Sequence, residues 1–139
     1  MHRLKSHWYL NLHFRLASMT IIGFCLWGGW AMYANFNHGM PVALMSGAAQ
    51  GFQSAISTFF GSAFIEWLYE KCKNWKYSIL IVGGVGSIGS FMFMLMGHIV
   101  VGTPELLLTL MPVVVMATVY CFGYTYSLTN SASISKFNH

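Results

Sequence analysis

The side chains able to do chemistry in this chain are few, and their spacing limits what they can do. Three carboxylates are present, Glu66, Glu70 and Glu105, and there is no aspartate at any position. That absence removes the aspartate-rich metal motifs of phosphotransferases and of many glycosyltransferases, and no HExxH or Ser-His-acid signature stands in for them. Catalysis is therefore not expected. His38, His98 and Glu105, with Asn35 nearby, fall at one end of the apolar segments. Two imidazoles and a carboxylate are chemically a zinc or proton-relay set. These three sit at the ends of different helices with nothing to fix their geometry, so Asn35, His38, His98 and Glu105 read as an outer-face polar cluster. Contact with a headgroup or partner is the functional alternative for Asn35, Asn37 and His38, which cluster at one turn, and neither a metal nor a cofactor is expected.

A second set lies inside an apolar segment. At about 100° per residue, Ser46, Gln50, Gln53, Ser54 and Ser57 share one helical stripe, with Gly47, Gly51, Thr58 and Ser62 beside it. The opposite side carries Ala49, Phe52, Ile56, Phe59 and Ala63. An unsatisfied amide in hydrocarbon is costly, so this stripe must face protein or water. It is either a hydrogen-bonded helix interface or a polar path or partner face. Glu66 lies just past the stripe and is either an interfacial anchor or its functional end.

A third set imitates a known motif. Gly84-Val-Gly86-Ser87-Ile88-Gly89 satisfies GxGxxG after a strand-like run. A dinucleotide fold needs further strands and soluble helices, for which the chain has no room. Gly83/Ser87 and Gly86/Ser90, at four-residue spacing, instead favour close helix packing. No nucleotide is expected.

The elements that must position these residues follow from composition. A chain that is 56% hydrophobic and 7% charged is unlike a soluble globular protein. Four apolar blocks, about residues 17–35, 43–67, 77–100 and 106–127, are each long enough to cross a hydrocarbon core of about 30 Å. Arg3, Lys5 and Arg15 precede the first, Lys71, Lys73 and Lys76 lie between the second and third, and Lys136 follows the fourth. With four spans every basic residue falls on one side, which the positive-inside rule makes cytoplasmic. The net charge of +4 thus marks orientation, and no nucleic acid is expected.

The fold expected is an all-α integral membrane bundle of four transmembrane helices in one domain, with both termini inside a bacterial cytoplasmic (inner) membrane. Bulky Trp30, Met32 and Tyr33 and the lack of a small-x-small site argue that the first block is retained and is not a cleaved signal. Residues 2–16 suggest a short amphipathic interfacial helix or a basic leader, and residues 128–139 a flexible cytoplasmic tail. Thr103, Pro104 and Glu105 suggest an N-cap, a first-turn proline and a dipole partner for the fourth helix. Pro112 should free a carbonyl near Leu108. Cys25, Cys72 and Cys121 form no disulfide or zinc pattern.

Beyond the lipid bilayer, the partners expected are further copies of the chain or other membrane subunits. The leading functional reading is a non-catalytic accessory or assembly subunit. The alternative is a homo-oligomeric transporter, flippase or channel component using the polar face of helix two. A proton-coupled drug exporter of the small multidrug resistance type would need a mid-membrane glutamate in the first helix, which is lacking. A lipid-modifying enzyme ranks last.

Overall fold

The computed structural model describes the backbone of residues 2–137 and the side chains of residues 17–130. Within them the protein is all-α, without a sheet: α1 (His2–Ala34), a short 3-10 turn (Phe36–His38), α2 (Met40–Cys72), α3 (Ser78–Val101) and α4 (Leu106–Phe137). The strand that GxGxxG would require is a helix, and Gly84, Gly86 and Gly89 all lie within α3. Two helices, α3 and the first 25 residues of α4, are long and apolar enough to cross a membrane. The four blocks are therefore unequal, because α2 spends many of its positions on Ser, Gln and Gly.

Several boundaries differ from expectation for local reasons. The backbone of α1 is one uninterrupted helix from His2, so no break separates a short N-terminal helix from the first apolar block. How residues 2–16 present their side chains lies outside the described residues. The tail expected from residue 128 is, as far as Phe137, a continuation of α4. No glycine follows Gly123 and no proline follows Pro112, so nothing stops the helix. The last two residues lie outside the described residues.

The connections follow turn chemistry. Gly39 (φ 95°) opens α2 with Pro41 in its first turn. Gly102 (φ 71°) ends α3 in a Schellman arrangement, its N–H donating to Ile99 O at 3.1 Å and that of Thr103 to His98 O at 3.0 Å. We call the end holding these two turns upper, and the end holding residues 73–77 lower.

Helix packing is governed by where side chains are missing. Among the glycines, the closest approach to another helix's backbone is between α1 and α2, where a Cβ on Gly28 would lie 2.9 Å from Gly47 O and one on Gly47 would lie 2.9 Å from Gly28 O. One turn on, Gly51 receives the ring of Phe24. In α3, Gly83 seats the Phe122 ring and Gly86 faces Cys121 Sγ, so this small-residue face accommodates α4 side chains. Ser87 turns back to donate to Gly83 O at 2.7 Å, and Ser90 is half-buried. Helix α4 runs diagonally: its upper half bonds to α1 through Trp30 and Asn35, and its lower half to α2 through Tyr120 and Tyr124.

Burial is inverted relative to a protein that folds in water. Among the described residues, 33 large apolar side chains are exposed, while the buried set holds 11 apolar residues, three of them alanine, and 10 polar ones. The apolar cores are correspondingly small: Ile65, Tyr69, Cys72, Val82 and Cys121 below, and Met94, Leu110 and Val113 above.

If the Gly28/Gly47 contact sets the α1–α2 spacing, Gly47→Ala should destabilise the protein by about 1–3 kcal/mol, since backbone must move to admit the methyl. Gly84→Ala, whose new methyl would meet nothing within 4 Å, should be neutral or mildly stabilising. Denaturation of both variants in detergent checks the pair.

Candidate functional site

The polar stripe of α2 and the start of the α3–α4 connection meet in a single buried chain of hydrogen bonds. Gln50 and Ser46 lie one turn apart on α2 and His98 is in the last turn of α3, all three without solvent exposure. Gln50 Oε1 can only accept, so the 2.7 Å contact with His98 Nε2 places the ring proton on Nε2. Nδ1 is then an acceptor and receives the Thr103 hydroxyl at 2.8 Å. That hydroxyl oxygen accepts in turn from Ser46 at 3.3 Å, and the Gln50 amide nitrogen donates to Ser54 Oγ at 3.3 Å. Donation therefore runs one way: Ser46, Thr103, His98, Gln50, Ser54. In this arrangement the imidazole is neutral, with Nε2 donating and Nδ1 accepting. The relay cannot carry a proton through, since an amide interrupts it at Gln50.

This geometry changes two expectations. His98 does not join His38 and Glu105: it turns inward and belongs with the α2 stripe. Thr103 does not cap α4: its hydroxyl is engaged by His98 and Ser46, and its N–H by His98 O. Helix α4 begins with Glu105 O accepting from Thr109 N at 2.9 Å. The free N–H of Glu105 is met from another helix, by Asn35 Oδ1 at 3.0 Å. Asn35, fully buried just past α1, also donates to Ala31 O and Thr109 Oγ1, both at 2.8 Å. It thus fastens the end of one helix to the start of another. His38 stays at the surface, 3.1 Å from Glu105 Oε1.

Gln53, one turn below Gln50, donates to Phe93 O at 2.6 Å and to Met94 O at 3.3 Å. Its Oε1 is the one buried side-chain polar atom without a partner among the described residues. The amide fits because position 97 is glycine: a Cβ there would stand 2.2 Å from Gln53 Nε2. Ser57, lower on the stripe, is half-buried. Phe52, Ile56 and Phe59, on the opposite side of α2, point outward as the helical projection requires.

Pro112 removes the partner of Leu108 O, and the Trp30 indole of α1 donates to that carbonyl at 3.1 Å. At the lower end Glu66 is exposed and accepts from Tyr124, while Ser62 Oγ lies 2.6 Å from the Tyr120 hydroxyl. Beyond the end of α2, Lys73 contacts Glu70 at 2.6 Å. The hydrogen bond and the negative charge of Glu70 hold its ammonium pKa above the ordinary lysine value. Among the described residues no three His, Cys or Glu side chains converge as a metal set.

Sequence reasoning missed Thr103 as a bridge, Gly97 as a seat and Gly28/Gly47 as the closest backbone approach among the glycines. A signal existed for the last, since Gly47 and Gly51 form a GxxxG spacing. None existed for Gly97, which matters only because Gln53 arrives there from another helix. The site so defined is the polar interior of a four-helix protein with two candidate membrane spans. Compared with protein-family models, curated proteins and solved structures, the chain has no significant match.

Two double-mutant cycles test these contacts. Gln50→Leu should cost about 1–3 kcal/mol by stranding the His98 N–H, and the further change His98→Leu should cost less than it does alone. Gly97→Ala should cost a similar amount while Gln53 is present and less in a Gln53→Ala background. Additive effects in either cycle would show that the pair is not coupled.

Proposed function

We propose that this protein crosses the bilayer four times, with both termini and residues 73–77 on the cytoplasmic side of a bacterial inner membrane. We propose further that it serves as a non-catalytic accessory or assembly subunit of a larger membrane complex. The observation carrying this reading is the direction in which polar and apolar groups point. The residues that make α2 too polar to resemble a span, Ser46, Gln50, Gln53 and Ser54, are all turned into the bundle. What α2 presents outward is Leu44, Met45, Phe52, Ile56, Phe59, Phe60 and Phe64, and α1 presents Met19, Ile21, Ile22 and Leu26. Averaging along a helix mixes the two faces, whereas lipid meets only one of them. Such a surface is far larger than the apolar patch a soluble monomer tolerates, and bilayer or protein contact removes it from water.

The closed polar interior supports an accessory role over transport. A permeation path needs polar groups that face water or exchange partners, whereas Ser46, Gln50, Gln53 and Ser54 of the α2 stripe are buried and bonded within one chain, with Gln53 Oε1 alone unpaired among the described residues. Outward apolar helix faces then remain as contact surfaces for lipid and for other membrane subunits.

Two experiments test the reading. Reporter fusions should place His38 outside and Asn74 in the cytoplasm, and the reverse pattern would overturn the topology. Purification in mild detergent should recover the chain with a different subunit in fixed ratio. A defined homo-oligomer with no foreign subunit would shift the assignment to a pore or carrier formed by several copies.

A further inference from the structure

The lower end of the α2–α4 seam carries a second polar cluster that the buried relay does not use. Ser62 and Glu66 lie one turn apart on α2, and Tyr120 and Tyr124 one turn apart on α4, so the two helices offer matched pairs. Tyr124 donates to Glu66, and Ser62 meets Tyr120 at 2.6 Å. The two tyrosine rings stack with centroids 5.6 Å apart and planes 8° from parallel. Unlike the relay, this cluster is open to the outside: Glu66 is exposed, and Tyr120 is 48% exposed. We propose that Glu66, Ser62 and the stacked pair Tyr120/Tyr124 form a site for a primary ammonium group, of the kind carried by aminophospholipid headgroups.

Charge is the first argument. Among the described residues no basic side chain reaches ion-pair distance of Glu66: Lys71, five positions on, lies about 140° round α2 from it, and two other lysines are engaged elsewhere. Lys73 pairs with Glu70 at 2.6 Å, and Lys76 lies over the Tyr77 ring at 5.3 Å. Glu70, one turn below on the same helix, already has Lys73 as its counter-ion, so Glu66 is the carboxylate left for a cation from outside the chain.

The choice of primary ammonium rests on the shape of the cluster. A quaternary ammonium has no N–H and is held by several ring faces surrounding it. Here the two rings stack on each other, giving up their inner faces, and leave no cage. A primary ammonium brings three donors, and the cluster offers acceptor oxygens on Glu66, Ser62 and Tyr120, with a ring face beside them. Position agrees: exposed Trp67 and Trp75 lie at the same end of the molecule, where an aromatic belt meets headgroups.

The test is competitive lipid retention. The full chain in mild detergent is mixed with equimolar phosphatidylethanolamine, its N,N-dimethyl derivative and phosphatidylcholine of identical acyl chains, and bound lipid is read by native mass spectrometry. Retention should fall with each degree of methylation, with about five- to tenfold preference for the primary amine over the quaternary one, the size of one net hydrogen bond that the quaternary group cannot donate. Glu66→Gln should level the series without unfolding the protein, because its amide oxygen still accepts from Tyr124. Tyr120→Leu, which leaves the Glu66–Tyr124 bond in place, should weaken the preference part-way. Soluble ethanolamine forms the second arm. If it binds the wild type and not Glu66→Gln while the lipids are retained equally, the ammonium site stands and its source is a soluble amine. Equal lipid retention without ethanolamine binding, or a preference that survives in Glu66→Gln, overturns the proposal.

Discussion

The bundle depends on one constraint: a polar group placed between helices has to find its partner on another helix. The bond from His98 Nε2 to Gln50 Oε1 is the centre of that arrangement, because it joins α3 to α2 and fixes which ring nitrogen donates. Thr103, Ser46 and Ser54 then have only one direction left in which to bond. Contacts of this kind contribute about 1 kcal/mol each when measured individually. Their larger effect is on alternatives, since rotating α2 by even one position would strand several groups at once. With apolar cores this small, specificity of packing comes mainly from the polar interior and from glycines that fit only one neighbour.

The upper end repeats the device in a way that relates the two helical hairpins. Asn35 and His98, Gly39 and Gly102, Pro41 and Pro104, and Ser46 and Thr109 are four pairs, each 63 positions apart. In each hairpin a fully buried polar residue near the end of the first helix reaches across to the other hairpin: Asn35 to Thr109, and His98 to Gln50. Both turns use a glycine at positive φ. A correspondence between the two hairpins is thus visible in the bonding, although they differ in polarity, with Gln50 matched by Val113.

Much of the helical pattern was legible because it is written in local periods. The α2 stripe, its outward apolar face and the carbonyl freed by Pro112 all follow from one helix considered alone. The partners of those groups did not, because a period gives the face and not the neighbour. His98 was grouped with His38 and Glu105 by depth, yet its rotation about α3 turns it to Gln50. Thr103 has the composition of a cap, and a competing imidazole takes its hydroxyl. Helix ends were misjudged where apolar content fades before helical propensity does, as beyond Ser127.

The span between bonded residues also has a meaning in time. Gln50 and His98 are 48 residues apart, and at a synthesis rate of about 5–20 residues per second the second follows the first by roughly 2–10 s. A nascent first hairpin therefore holds Ser46, Gln50 and Asn35 before His98, Thr103 and Thr109 exist. Through that interval its polar face has to be shielded by water, by the insertion machinery or by another protein. The interior that is most thoroughly hydrogen-bonded in the finished bundle is, during the chain's own synthesis, a liability.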